Sequence, residues 1–194
     1  VTIESGTVLH RIHDCRFAAT GFNPGFGLSR FAPFDVAGKA VSTAYAATSL
    51  ECAAFETIFH DLEAAAPFKF VPLSSLEGLQ YSTFQVDRPV RLASLYSADL
   101  MRFGLERRQV IDTPRSSYPI TRLWSATVHH SDPKADGMIW VSRRYDQERA
   151  LILFGDRVLT DELSVVASTR ITEDPTTLEV IFDLGQRAGI DIAG

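Results

Sequence analysis

The chain is poor in cysteine, which limits the structural roles that thiols can have in it. Among 194 residues there are two cysteines, Cys15 and Cys52. Secreted disulfide scaffolds and structural zinc sites need more of these side chains at close spacing. The adjacent His129 and His130 point in different directions and have no third ligand nearby in sequence. The two cysteines could pair in principle, but a buried thiol is the commoner role for Cys52 on an apolar helix face, and we expect no bound metal.

Long apolar runs and an excess of positive charge are also missing. No run approaches the roughly 20 apolar residues that a membrane-spanning helix needs, and the first residues lack a signal-peptide pattern. The net charge is −5 at pH 7, and no long Lys/Arg run offers a footprint for a phosphate backbone. We therefore expect no membrane insertion and no direct nucleic-acid binding. We expect a cytoplasmic location, with delivery as a secreted effector as the alternative.

The rest of the composition is that of an ordinary globular protein. Hydrophobic residues make up 45% of the chain and charged residues 22%, so the chain is long and apolar enough to bury a sizeable core. There is no internal repeat, low-complexity tract or Pro/Gly/Ser-rich linker. We expect a single domain over residues 1–194.

Alternating and helical hydrophobic patterns predict a mixed order of strands and helices. Strands are predicted near residues 6–13, 41–46, 68–72, 80–86, 91–95, 137–142, 150–154 and 163–171. Helices are predicted at about 49–62, after Ser97 as N-cap, after Ser117 as far as His130, and after Asp174 as N-cap. The long loop at 21–38 is typical of a binding element. The fold class indicated is α+β, with helices packed around a bent, largely antiparallel sheet.

The first predicted helix carries a charge where its apolar face should continue. Cys52, Phe55, Phe59 and Leu62 follow helical spacing, and Glu56 falls on the same stripe. Glu51 lies on another face and is predicted to form a capping box with Thr48. Glu56 is either an acid at the edge of the stripe whose head reaches water, or an acid held in a partly dry cleft for chemistry.

Several segments, taken together in order and spacing, resemble the RES-domain family over roughly residues 7–157. They are Leu9-His-Arg-Ile12, Gly27-Leu-Ser-Arg-Phe-Ala-Pro33, Tyr45 with Glu56 eleven residues later, Asp136-Gly-Met-Ile-Trp-Val-Ser142 and Leu151-Ile-Leu-Phe154. Residues 158–194 lie beyond this region, and we expect them to form a C-terminal strand and helix extension. The loop departs from the family pattern, because Leu28-Ser-Arg-Phe-Ala32 lacks a glycine, a tryptophan and an asparagine found there in other members.

The resemblance implies the residues of a site. Catalytic roles fall to Glu56, Arg30 and Tyr45, and substrate-binding roles to Arg11, Ser142 and Ser125. From the residues alone, Arg11 can instead be a structural arginine at a strand end, Tyr45 a half-buried core tyrosine, and Ser142 the end of a strand at a turn. His60, one helical turn after Glu56, is expected to support the site indirectly.

The resemblance also implies an activity and a partner. It indicates a fold like that of ADP-ribosyltransferase toxins and cleavage of the nicotinamide–ribose bond of NAD⁺. The acceptor is water, or inorganic phosphate as co-substrate, and no cofactor or metal is needed. Members act as toxins held silent by an antitoxin with a helix-turn-helix domain. Transfer of ADP-ribose to a protein or small molecule, and an inactive module that binds a nucleotide or antitoxin, are the alternatives.

Overall fold

The computed structural model describes all 194 residues. The strands are β1 (Thr2–Ile3), β2 (Val8–Asp14), β3 (Phe34–Val36), β4 (Lys39–Val41), β5 (Thr43–Ala47), β6 (Lys69–Pro72), β7 (Leu79–Val86), β8 (Val90–Ser94), β9 (Gly137–Val141), β10 (Arg149–Phe154), β11 (Leu163–Arg170) and β12 (Ile190–Ala193). The helices are α1 (Leu50–Thr57), α2 (Ser97–Met101), α3 (Arg107–Val110), α4 (Tyr118–Ser131) and α5 (Pro175–Arg187).

Eight strands form one sheet in the order β1-β8-β9-β10-β5-β2-β7-β11. Every neighbouring pair in it is antiparallel except β8 and β9, which run parallel. Two small sheets, β3 with β4 and β12 with β6, complete the strands. The predicted α+β class with a curled, largely antiparallel sheet is confirmed.

The main sheet opens between β2 and β5. Strand β2 pairs with β7 over seven residues, but a single pair, His10 with Ala47, joins it to β5. Strand β5 is held on its other side by five pairs with β10. Because the two strands separate beyond their one contact, side chains at this point border a gap in the sheet.

Each face of the sheet has its own apolar core. The larger core contains Ile12, Ala47 and Trp140 and takes in Cys52 and Phe59 from α1 and the segment after it. Leu9, Ala44 and Leu151 belong to the smaller core on the other face. Successive strand residues point to opposite faces, so this alternation sets which side chains meet α1.

Helix α1 is shorter than predicted and has a different cap. It ends at Thr57, whereas the sequence predicted a helix to about Leu62. Its N-cap is Ser49, whose hydroxyl accepts the backbone N–H of Cys52. The predicted capping box of Thr48 is wrong, because the Thr48 hydroxyl donates to Oε2 of Glu148 across 2.6 Å.

The second half matches the predictions in outline. Helix α2 has Tyr96 and not Ser97 as its N-cap, and the short helix α3 was not predicted. Asp174 caps α5 as predicted, accepting the N–H of Thr176. Strand β12 was also missed; it pairs in parallel with β6. No helix of the structure is both long and apolar enough to span a membrane.

Candidate functional site

A cavity of about 250 Å³ lies where the sheet opens between β2 and β5. Its wall is formed by β2, the 28–30 loop, β5, α1 and the residues just after it, Arg115 and the start of α4, and single residues of β9 and β10. Four of the six predicted site residues border it: Arg11, Arg30, Tyr45 and Glu56. Ser142 and Ser125 are both fully buried and lie behind this wall.

Glu56 is half-buried on α1 and is held by the end of β9. The hydroxyl of Ser142 donates to its Oε1 across 2.7 Å. The same hydroxyl oxygen accepts the backbone N–H groups of Arg144 and Tyr145, at 3.3 and 3.2 Å. Ser142 therefore fixes the carboxylate relative to the turn that follows β9, and its contact with the cavity passes through Glu56.

Arg11 borders the gap from β2 and has no carboxylate partner. Its Nη1 donates to the carbonyl oxygens of Ala19 and Gly21, at 3.1 and 2.7 Å. Burial lowers the pKa of Arg11 to about 10, which leaves the side chain positively charged at neutral pH. Neither Nε nor Nη2 makes a hydrogen bond within the protein, so both keep donors for a ligand. A structural arginine at this strand end could have paired with Asp14 or Glu56, and neither pair is formed.

Arg30 is buried and only 6% exposed. Its Nη1 donates to both the carbonyl and the hydroxyl oxygen of Thr113. Its guanidinium carbon lies 5.3 Å from the centre of the Tyr118 ring, within the range of a cation–π contact. Burial lowers the pKa of Arg30, while the charge of Glu56 acts in the opposite direction. Arg30 and Glu56 therefore influence each other electrostatically across the cavity.

Tyr45 holds the loop that carries Arg30. Its hydroxyl oxygen accepts the backbone N–H of Phe31 at 3.0 Å and lies 2.9 Å from the hydroxyl of Ser29. Burial raises the pKa of Tyr45, so the hydroxyl stays protonated. Both loop contacts use the hydroxyl, while the ring makes an edge contact with Trp140, and both aromatic residues line the cavity.

Helix α4 holds the same loop from the other side. Ser125 donates to the carbonyl oxygen of Phe31 at 2.8 Å, and Thr121 donates to that of Arg30. The two donors are one helical turn apart and fully buried. Two successive loop carbonyls are thus bound by one face of α4. The contacts of Ser125 are those of a residue that orders the loop.

Several residues that line the cavity were not predicted as part of the site. Those with polar or aromatic side chains include His10, Asp61, Arg115, Tyr118 and Trp140. For Trp140 a signal existed, because it lies two residues before Ser142 on the same strand face. For Tyr118 there was none, since it reaches the cavity only because α4 crosses the Arg30 loop.

One side of the cavity is apolar and lined by small side chains. Ala47 and Ala150 face each other on β5 and β10, and Ala53 lies opposite them on α1. The rings of Tyr45 and Trp140 border this side. Such a surface can accept a flat ring, while the arginines and Glu56 provide a polar, charged side. No group of three or more His, Cys, Asp or Glu side chains is arranged to hold a metal ion.

Fold and cavity together define an α+β protein with an arginine-rich ligand site built around one carboxylate. The model of the RES-domain family matches residues 8–174. The chain belongs to the RES-domain family, and the resemblance seen in the sequence is confirmed. The match extends past residue 157 through β11, which pairs with β7 in the main sheet.

A solved structure shares the fold. A chain of the crystal structure of the M. tuberculosis MbcT-MbcA toxin–antitoxin complex superposes with a TM-score of 0.64 at 17% sequence identity. The comparison covers 94% of this chain and 91% of that chain. No curated protein sequence matches this chain.

Proposed function

We propose that this protein is an enzyme that cleaves the bond between nicotinamide and ribose in NAD⁺, with water or inorganic phosphate as acceptor. The observation that carries this proposal is the carboxylate of Glu56, oriented by Ser142 in a cavity also lined by Arg11 and Arg30. A single oriented acid in a cavity with two arginines, one half-buried and one buried, suits a substrate that becomes cationic at one carbon and is anionic elsewhere.

Glu56 is proposed to stabilise the transition state. When the bond to nicotinamide breaks, positive charge develops on the ribose ring, as in glycoside hydrolysis. A preorganised carboxylate lowers the energy of that charge most when it need not rearrange during the reaction. The 2.7 Å bond from Ser142 supplies this preorganisation, because it holds Oε1 before the substrate arrives.

The arginines are proposed to bind the pyrophosphate. Guanidinium groups present planar donors that match phosphoryl oxygens. The free Nε and Nη2 of Arg11 are available for this, and Arg30 adds a buried positive charge. The apolar side with Ala47, Ala53 and Trp140 is proposed to take the nicotinamide ring. A volume of about 250 Å³ is below the roughly 300–1,000 Å³ of typical ligand pockets, so we place nicotinamide and its ribose inside and the adenosine half at the mouth.

The biological role we propose is that of a toxin acting on cytoplasmic NAD⁺ and neutralised by an antitoxin protein with a helix-turn-helix domain. Support comes from the family and from the fold shared with a chain of the MbcT-MbcA toxin–antitoxin complex. Expression of the wild-type chain alone in bacteria is expected to lower cellular NAD⁺ and stop growth, and the Glu56→Gln variant is expected to do neither. Normal growth with unchanged NAD⁺ would contradict the toxin role.

The decisive experiment incubates the purified protein with NAD⁺, with and without inorganic phosphate, and identifies the products by mass spectrometry. Glu56→Gln keeps the size and planar shape of the side chain and one oxygen acceptor but removes its charge. We expect nicotinamide release to fall by about 10²-fold or more, with NAD⁺ affinity changed only a few-fold. Glu51→Gln, on another face of α1, is the matched control and should retain full activity.

The outcomes separate the alternatives. Free ADP-ribose without phosphate indicates hydrolysis, and its phosphate ester indicates phosphorolysis. Nicotinamide release that requires an added protein or small-molecule acceptor would favour ADP-ribosyl transfer. Binding of NAD⁺ without any nicotinamide release would overturn the enzyme and favour a binding module.

A further inference from the structure

Three residues of the cavity wall form a hydrogen-bonded chain that runs from the interior to solvent. Tyr118 is 4% exposed, and its hydroxyl lies 3.3 Å from Nε2 of His60. The other ring nitrogen of His60, Nδ1, lies 2.9 Å from Oδ1 of Asp61. The side chain of Asp61 is 71% exposed. No other hydrogen bond within the protein uses the Tyr118 hydroxyl.

The sequence of hydrogen bonds from Tyr118 through His60 to Asp61 fixes which atom carries each proton. The carboxylate of Asp61 can only accept, so Nδ1 of His60 carries the hydrogen. In a neutral imidazole the other nitrogen, Nε2, is then an acceptor. The hydroxyl of Tyr118 therefore donates to His60, and no group of the protein donates to its oxygen, so that a molecule in the cavity lined by Tyr118 can do so.

The charges around Tyr118 suit a group that passes a proton on. Burial raises the pKa of Tyr118, so its hydroxyl is protonated near pH 7 and no phenolate is present to act as a base before the reaction. The guanidinium of Arg30, 5.3 Å from the ring, acts in the opposite direction and stabilises negative charge that develops on the phenol oxygen. Asp61, Arg115 and Arg143 are the other charged groups that act on Tyr118.

We infer that Tyr118 accepts the proton of a water molecule that attacks the ribose carbon, while it gives its own proton to His60. This inference rests on the proposed function and adds a proton path for the acceptor. Tyr118 touches the acceptor and is catalytic, whereas His60 and Asp61 are positioning residues that act through it. Their line of contact leads the proton out of the cavity to an exposed carboxylate.

The step balances in atoms and charge. The bond between the ribose carbon and nicotinamide breaks, and its electron pair stays on the pyridine nitrogen, so that nicotinamide leaves neutral. A bond forms between the water oxygen and the ribose carbon. One water proton moves to Tyr118, whose proton moves to Nε2 of His60, and the imidazolium releases its Nδ1 proton toward Asp61 and solvent. The products are ADP-ribose, nicotinamide and one proton.

Water and phosphate differ in their need for this path. Water must lose a proton when it attacks, whereas the phosphate dianion already attacks through a negatively charged oxygen. The hydrogen-bonded residues Tyr118, His60 and Asp61 should therefore accelerate hydrolysis far more than phosphorolysis. The ratio of the two products reports on the proton path and is insensitive to a general loss of folded protein.

The test compares Tyr118→Phe and His60→Asn with the wild type, measuring ADP-ribose without phosphate and its phosphate ester with phosphate. Tyr118→Phe keeps the ring beside Arg30. We expect both variants to lose about 10²-fold in hydrolysis and less than about threefold in phosphorolysis. Tyr96→Phe and His130→Asn are matched controls, because neither side chain lines the cavity or makes a side-chain hydrogen bond, and both should behave as wild type.

Any of the following results would overturn the inference. Equal losses of rate with water and with phosphate would show that Tyr118 and His60 only maintain the structure of the cavity. Unchanged hydrolysis in Tyr118→Phe would exclude it as proton acceptor. A wild type that turns over only with phosphate would remove the need for the path and leave the proposed function standing, whereas no nicotinamide release from the wild type would overturn both.

Discussion

The hydroxyl of Ser142 donates to Oε1 of Glu56 across 2.7 Å, and the two residues are 86 positions apart in the chain. This bond joins the end of β9 to α1 and orients the acid that the sequence singled out. Through Ser142 the carboxylate is also connected to the backbone N–H groups of Arg144 and Tyr145. The acid is therefore held by the strand end and by the turn after it.

Replacing Ser142 by Ala should lower the rate more than the affinity. Glu56 keeps its charge but loses its orienting donor, so we expect kcat for nicotinamide release to fall about tenfold with NAD⁺ affinity nearly unchanged. Steady-state kinetics and calorimetric titration measure the two quantities. The exposed Ser164→Ala is the control and should have no effect. A raised KM at normal kcat would instead mean that Ser142 contacts the substrate directly.

Replacing Tyr45 by Phe should destabilise the protein. The backbone N–H of the fully buried Phe31 loses its acceptor, and an unpaired buried donor costs about 1–3 kcal/mol. In a chain of this size each kcal/mol lowers Tm by about 2–4 °C. Differential scanning calorimetry measures the shift, with Tyr96→Phe as a control that should leave Tm unchanged. If Tyr45→Phe loses activity at an unchanged Tm, the hydroxyl acts on the substrate and not on the loop.

Replacing Ser125 by Ala should act through the Arg30 loop. The carbonyl of Phe31 loses a donor 2.8 Å away, so we expect Tm to fall and KM for NAD⁺ to rise together, with kcat reduced less. Thermal unfolding and initial rates test this, and Ser131→Ala at the exposed end of the same helix should change neither. A large loss of kcat with normal Tm would instead support the direct substrate contact that the family resemblance implied.

Replacing Arg11 by Lys should weaken NAD⁺ binding. Lysine keeps the positive charge but cannot bond two loop carbonyls and still offer donors to a phosphoryl group. We expect KM to rise about tenfold or more. Arg16→Lys is the control, since that side chain is 77% exposed and paired only with the nearby Asp14. If Tm falls while KM stays normal, Arg11 serves the loop alone.

Much of the fold could be predicted because local sequence patterns indicate many of its helices and strands. The alternation over 80–86, the apolar run at 150–154 and the cap at Asp174 all correspond to elements of the structure. The errors fall where local patterns compete or are too short. Ser49 and Thr48 are both capping residues, and only the long-range bond of Thr48 to Glu148 decides between them. Strand β12 has four residues and forms because β6 is available as a partner.

Glu56 could be recognised from the sequence as an interruption of an apolar helix face, because helical periodicity depends only on neighbours along the chain. It also carried the order of motifs that places the chain in its family. The contacts of each site residue became known only from the folded chain. Ser142 donates to Glu56, Tyr45 and Ser125 hold the Arg30 loop, and Tyr118 lines the cavity together with His60. Periodicity predicts the face of the helix or strand on which a side chain lies. The residue that it contacts depends on how strands and helices pack against each other, and that packing involves residues far apart in the sequence.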